Sequence, residues 1–364
     1  MRRNLWRNFD FLLFGAVVFM CLFGIIMIES AIAGNEELAD YPQRQSIFVA
    51  AGLALVIIVA AIDYHLWASI ARFIYVFAFV ALFVIYVYGE ARFGSARWID
   101  TGLILIQPSE IVKILMILVL AEHFDRNKDE KRDLRWIAKS FLLTFGVVIW
   151  ILLQPNLSTS IVIFVIWFAL LWVSGLPVKY IAILATVAII LIIVAFPFLE
   201  DYQQARILNF IFPDPEASYG DVYNIQQSKI AIGSGGWFGE GYGQGTQVQL
   251  RFMKVRHTDF IFSVVAEEFG FVGTMVVIAM MAFIIFRCLR IAQAASDNYG
   301  SLVAFGYSAM LFFQTAINIG VNLNLVPVSG LPFPFLSYGG SSLVSTIIGI
   351  GLVESVALRK KIIQ

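Results

Sequence analysis

The chain has 364 residues, of which 60% are hydrophobic and only 14% charged, with a formal net charge of zero. A soluble domain carries about a quarter charged residues, and balanced charge gives no basis for nucleic-acid binding, so no nucleic-acid partner is expected. Apolar runs of about 20 residues, enough to cross a bilayer as helices, recur along the chain, so the expected fold class is all-α and polytopic.

The first run, 9–30, is followed by acidic residues and by no small-residue cleavage site, so it reads as a retained helix rather than a signal peptide. Cys21 within it and Cys288 further on fall in or beside apolar runs and suggest neither a disulfide framework nor a metal site. Runs at 45–62, just after Arg44, and at 68–89 follow. RWIDTGLILIQPSEIVK, 97–113, then opens a fourth run at 107–122. Pro108 suits a first helical turn, and Glu110 and Lys113 fall three apart on one helix face. A lysine inside a span costs about 2.5–3.5 kcal/mol on insertion scales, so Lys113 needs a carboxylate, a polar cavity or a bound anion. Arg97 and Trp98 fit either a site or an interfacial anchor.

Runs at 138–153, 157–174 and 178–199 precede a connection from 200 to 257, long enough to suggest function. It contains KIAIGSGGWFGEGYGQGTQ, 229–247, whose seven glycines exclude a continuous helix and fit either a flexible lid or a backbone that approaches a ligand closely. The next run, 258–287, is entered through Arg256, His257, Thr258 and Asp259. At that length its first turn projects beyond a bilayer core of about 30 Å, placing Asp259 at the interface, either as a site carboxylate or as a first-turn acid with Thr258 as N-cap. Glu267 and Glu268 lie roughly 12 Å deeper and are expected to meet buried donors. A run at 300–322 leads into NLNLVPVSGLPFPFLSYGGSS, 322–342, with three prolines and three glycines. There Ser341 and Ser342 could cap the last run, 339–357, and the loop could roof a cavity shared with Asp259.

Ten spans put both termini on one side. That side's short loops and ends collect most of the arginine and lysine, from Arg72 and Arg126–Lys139 to Arg359–Lys361, so both termini are expected to be cytoplasmic and Asp259 extracytoplasmic. The chain reads as one membrane domain over 1–364.

The same words closely resemble the SEDS family (shape, elongation, division and sporulation), bacterial cytoplasmic-membrane glycosyltransferases that polymerise lipid II into peptidoglycan. They are Arg44-Gln45, RWID, QPSEIVK, QPNLSTS at 154–160, QQSKIAIGSGGWFGEGYGQGTQ at 226–247, HTDFIFSVVAEEFG at 257–270 and VPVSGLPFPFLSYGGSS at 326–342. VPVSGLPFPF is more similar to the elongation-type branch than to the division-type branch. Two departures stand out: Asn156 where members often carry aspartate, and Lys254-Val255-Arg256 where they often carry Pro-Glu. The resemblance implies Asp259 as the catalytic carboxylate and Arg44, Arg97, Gln107, Glu110, Lys113, Arg206, Lys229, His257, Thr258 and Ser341 as substrate-binding. It implies undecaprenyl pyrophosphate as leaving group, its charge met by basic side chains or by a divalent cation, Mg or Mn. It further implies a single-span class B penicillin-binding protein as partner. A lipid II flippase, or a non-catalytic scaffold, would use the same polar cavity without a base.

Overall fold

The computed structural model describes residues 6–360 apart from 89, 93–94, 101–104, 215–219 and 254, and only the backbone of 90–92, 95–97 and 100. Each of the ten expected spans is a helix. They are α1 (Phe11–Ile32), α2 (Tyr41–Ala61), α4 (Ala71–Tyr88), α5 (Pro108–Arg126), α6 (Leu134–Leu153), α7 (Leu157–Val173), α8 (Val178–Ala195), α12 (Ile261–Gln293), α13 (Asn298–Asn322) and α14 (Gly340–Leu358). The short α3 (Tyr64–Ser69) joins α2 to α4, and α9 (Asp201–Ile211), α10 (Gly220–Ser234) and α11 (Thr246–Gln249) give the long connection a helical framework that composition did not suggest. Three short antiparallel strands, β1 (Glu90–Arg92), β2 (Ser95–Asp100) and β3 (Leu105–Ile106), lie between α4 and α5. Apart from them the fold is all-α, as expected.

Among the described residues, eight helices are long and apolar enough to cross a membrane, and α7 is a shorter apolar one. α5 is more highly charged than these, yet Ile114 and the run from Met116 to Ala121 are buried among α4, α7 and α13. α8 is the opposite case. Its sequence is strongly apolar but none of its residues is buried, so it lies at the periphery of the bundle.

Hydrogen bonds separate the bundle into two ends. At one end Arg287 pairs with Asp10, whose N–H donates to Glu354 Oε2 at 2.9 Å, and Asn298 Nδ2 reaches Asp125 Oδ1 at 2.9 Å. The start of α1 therefore meets the ends of α12 and α14, the start of α13 meets the end of α5, and α1 begins at the end of the bundle where α14 finishes. At the other end Ser341 Oγ donates to the Leu105 carbonyl at 3.0 Å, and Gln45 Nε2 to the Ser337 carbonyl at 3.1 Å.

α12 is two helical segments rather than one long span. Gly270, at φ 66° and ψ −161°, breaks it. The part after the break is about 35 Å long by helix rise, enough to cross a bilayer core of about 30 Å. A break in a helix at membrane depth leaves carbonyls and N–H groups unpaired, which is tolerated only where protein replaces the lost bonds. The glycine-rich segment does so. Glu240 and Gly241 N–H donate to the Glu267 and Glu268 carbonyls at 2.9 and 3.0 Å. Phe271 and Val272 N–H in turn donate to the Gly236 and Trp237 carbonyls at 2.8 and 3.1 Å. Such an approach leaves no room for side chains: a Cβ on Gly239 would stand 2.1 Å from the Glu268 carbonyl oxygen. The backbone these glycines approach is therefore α12 itself.

Candidate active site

Asp259 does not sit in the first turn of α12. It lies in the turn before it, with Phe260 as N-cap and no side-chain cap from that residue. Thr258 is likewise not the cap, because its Oγ1 donates back to the Val255 carbonyl at 3.2 Å. The cap comes from α13: the Asn322 side-chain oxygen accepts the Ser263 N–H at 3.2 Å, the bond an N-cap side chain would otherwise make. The same Asn322 amide donates from Nδ2 to the Asp259 carbonyl at 3.0 Å, and Asn318 Nδ2 does so too at 3.0 Å. Both asparagines are buried. Asn318 also reaches the Leu331 carbonyl at 2.9 Å, so one pair of amides fixes the backbone of Asp259 to α13 and to the Pro-rich loop.

That loop forms the next wall. Ser337 Oγ donates to the Thr258 carbonyl at 2.6 Å, and Tyr338 N–H to the His257 carbonyl at 3.0 Å. Tyr338 stacks on Tyr41 with ring centroids 4.0 Å apart, and His257 packs edge-on to Tyr41 at 5.4 Å. Burial and the neighbouring Arg256 push His257 down to about 4, so the ring is neutral at neutral pH. Burial pushes the Tyr338 phenol up to about 12, with Tyr41 adding to the rise and Arg44 opposing it. Arg44 stands exposed at this rim, 3.8 Å from Asp40. Arg256 is spent on structure, donating to the Ala31 and Met253 carbonyls.

Arg206 reaches the site from the other side. α9 is held to the α6–α7 turn by Tyr202 OH and Gln203 Nε2, which donate to the Pro155 carbonyl at 2.5 and 3.3 Å. From there Arg206 Nε donates to Asp221 Oδ2 at 3.0 Å. A Cβ on Gly330, which has φ +69°, would lie 3.9 Å from Arg206 Nη1 and 4.0 Å from Asp259 Oδ2. The guanidinium and the carboxylate therefore flank one glycine, no more than about 8 Å apart, and a side chain at 330 would project between them. Burial raises Asp259 from its ordinary 3.8 to about 6; Arg206 opposes the rise and Asp221 adds to it. A carboxylate poised there can take a proton near neutral pH.

The remaining candidates separate. Glu110 and Lys113 form an ion pair at 2.8 Å with side chains only 6% and 1% exposed, so the carboxylate that Lys113 requires is Glu110. Gln107 N–H donates to Ser341 Oγ at 3.0 Å, so Ser341 joins α5 to β3 rather than capping α14, whose N-cap is Gly339. Asn156 caps α7 and reaches Ser109 Oγ at 3.4 Å. Lys229 is exposed on α10, without an ion pair or hydrogen bond among the described residues. The Arg97 side chain and Lys254 lie outside the described residues. Glu268 meets a buried donor, the Ser30 hydroxyl, whereas Glu267 accepts the half-buried Gln247 N–H at 2.7 Å. Among the described residues no three His, Cys, Asp or Glu converge as a metal cage.

Asn318, Asn322 and Asp221 did not emerge from the sequence reading. The two asparagines carried a usable signal, since amides four apart inside an apolar run share a helix face and need partners.

Residues 10–362 match the cell cycle protein family model that groups FtsW, RodA and SpoVE. Over 317 residues, covering 87% of this chain and 85% of the relative, the sequence is 36% identical to the peptidoglycan glycosyltransferase MrdB of Escherichia coli K12. It is 33% identical to a probable peptidoglycan glycosyltransferase FtsW of Aliivibrio salmonicida, covering 95% and 88% of the two chains. The fold is similar to Thermus thermophilus RodA, with TM-score 0.72 and 29% identity over 97% of each chain. It is also similar to a chain of a peptidoglycan synthase complex described as coordinating polymerization and crosslinking, with TM-score 0.81 and 30% identity over 96% and 97%. With its spans, site words and relatives in agreement, the chain belongs to the FtsW/RodA/SpoVE family of membrane proteins, the SEDS family.

Proposed function

We propose that this protein is an elongation-type peptidoglycan glycosyltransferase that polymerises lipid II at the outer face of the bacterial cytoplasmic membrane, with Asp259 as its base. The observation that carries the reading is the Asp259 carboxylate, raised to about 6, facing Arg206 across Gly330. Chain growth requires the acceptor's 4-hydroxyl to attack the donor's anomeric carbon. Asp259 takes the hydroxyl proton as the new C–O bond forms, and the bond to undecaprenyl pyrophosphate breaks with its electron pair leaving on the phosphate oxygen. Arg206, and Arg44 at the rim, supply positive charge for that leaving group. A divalent cation, Mg or Mn, would add positive charge for the leaving pyrophosphate, though among the described residues no three ligating side chains converge to hold one.

The lipid tails of both substrates remain in the bilayer, which suits a base at the mouth of the helix bundle. A flippase would need cationic groups along a path through the bundle. Among the described residues Lys113 is the basic side chain buried within a spanning helix, and it is already neutralised by Glu110. We further assign a single-span class B penicillin-binding protein as the partner that supplies crosslinking, a pairing suggested by the related synthase complex.

The test is purified protein with that partner, given lipid II in detergent and analysed by gel for glycan polymer, beside liposomes that report lipid II transfer between leaflets. Polymer without transfer supports the reading; transfer without polymer overturns it.

A further inference from the structure

At the end of the bundle opposite Asp259, a cavity of about 520 Å³ opens between the first turns of α4 and α6 and the last turns of α5. Its polar lining is Arg72, Glu122, His123, Arg126, Asn127 and Lys139, three cations against one carboxylate. Two of the cations are available. Arg72 is exposed and makes no ion pair or hydrogen bond among the described residues. Arg126 is held only loosely, 4.0 Å from Glu122, with a largely exposed side chain.

His123 lines the cavity but lends it no accessible donor. The Asn127 Nδ2 group donates to the His123 carbonyl at 2.8 Å and stands 3.4 Å from His123 Nδ1. An amide nitrogen offers only hydrogens, so Nδ1 accepts and the ring proton sits on Nε2. That Nε2 is buried without a hydrogen-bond partner and out of reach of the open space, so the charge available to a ligand is that of Arg72 and Arg126.

Apart from the Tyr75 phenol, the rest of the cavity is apolar. Val76, Val119 and Leu143 line it, and their neighbours in sequence Phe73, Phe77 and Leu142 are exposed on α4 and α6, apolar surface of the kind that acyl chains would cover. We propose that this cavity binds the head group of an anionic phospholipid, with its phosphate between Arg72 and Arg126 and its acyl chains against α4 and α6. Basic pockets between membrane helices on the side bearing the positive loops are suited to such head groups. A free phosphate would leave the apolar wall unused, and a zwitterionic head group would bring its ammonium to Arg72 and Arg126, while Lys139 is already paired with Glu130 at 2.9 Å.

The proposal is tested by native mass spectrometry of the purified full chain with equal amounts of dioleoyl phosphatidylglycerol and dioleoyl phosphatidylcholine. Phosphatidylglycerol should be retained preferentially. At roughly fivefold for each basic group near a membrane surface, the Arg72→Gln/Arg126→Gln pair should weaken its retention about 20- to 30-fold, and Arg72→Gln alone about fivefold. Lys179→Gln, at the same end but outside the cavity, should leave retention unchanged, and Glu122→Gln should not weaken it. Because Arg72 is exposed and unpaired, its single variant folds like the parent, as a matching melting curve would verify. Equal retention of the two lipids, no loss in the double variant, an equal loss in Lys179→Gln, or displacement by glycerol 3-phosphate as readily as by phosphatidylglycerol would overturn the proposal.

Discussion

Arg206 and Asp221 act on Asp259 with opposite sign, so removing each should move the pH dependence of the reaction in opposite directions. Gly330 limits the Arg206–Asp259 separation to about 8 Å, since its Cβ position lies 3.9 and 4.0 Å from the two groups. Two unit charges at that distance interact by about 0.5 kcal/mol in water and about 2 kcal/mol at an effective dielectric constant of 20. That corresponds to roughly 0.4–1.5 pH units. In Arg206→Gln, Asp259 loses its cation and keeps the Asp221 charge, so the pH at half-maximal kcat/KM should rise by about that amount from a wild-type midpoint near 6. Asp221→Asn frees the guanidinium and removes the repelling charge, so its midpoint should fall. The assay is initial polymerisation rate on lipid II under kcat/KM conditions from pH 5 to 8, a profile that reports groups of the free enzyme. A lower kcat/KM in Arg206→Gln from weaker pyrophosphate binding does not move the midpoint. Midpoints that stay fixed in both variants, or that move together, would refute the electrostatic reasoning.

Three further outcomes follow from the packing. Lys113→Ala strands the buried Glu110 carboxylate and should cost about 3–5 kcal/mol, lowering the melting temperature in detergent well below that of Lys113→Arg; equal melting curves would argue against a structural ion pair. Gly239→Ala sets a Cβ 2.1 Å from the Glu268 carbonyl and should separate the glycine-rich segment from α12, seen as faster amide exchange at Glu240 and Gly241. Asn322→Leu removes both the α12 cap and one hold on Asp259, so kcat should fall by an order of magnitude or more with KM less affected; a change in KM alone would count against a positioning role.

The spans were legible because each is an apolar run bounded by polar loops, and the positive-residue bias orders their ends. Glu110 beside Lys113 was legible for the same local reason. What the sequence hid is non-local. Gly270 reads as an ordinary glycine in a helix, since the groups that satisfy the break come from Gly236–Gly241, some thirty residues earlier. The same distance effect misled the reading of Thr258 as cap, because the capping oxygen belongs to Asn322 on another helix. The seven glycines signalled close backbone approach correctly but not what is approached. The helices α9 and α10 escaped notice because they are short and polar, and α9 is placed by two bonds to the Pro155 carbonyl rather than by an apolar face.

Asp259→Asn tests the central claim most directly, measured as polymer from lipid II with saturating partner and as thermal stability in the same sample. The carboxylate ionises less readily in the folded protein than in the unfolded chain. Its favourable contribution is therefore fully present below its ordinary 3.8 and lost as the pH rises through about 6. At pH 7 a neutral amide avoids that loss. The shift sets a ceiling of about 3 kcal/mol, and the partial exposure of Asp259 reduces the expected gain to about 1 kcal/mol. The account predicts a variant that is folded, bound to its partner, at least as stable as wild type at pH 7, and without polymer. Polymer at near wild-type rate from that folded variant would contradict it.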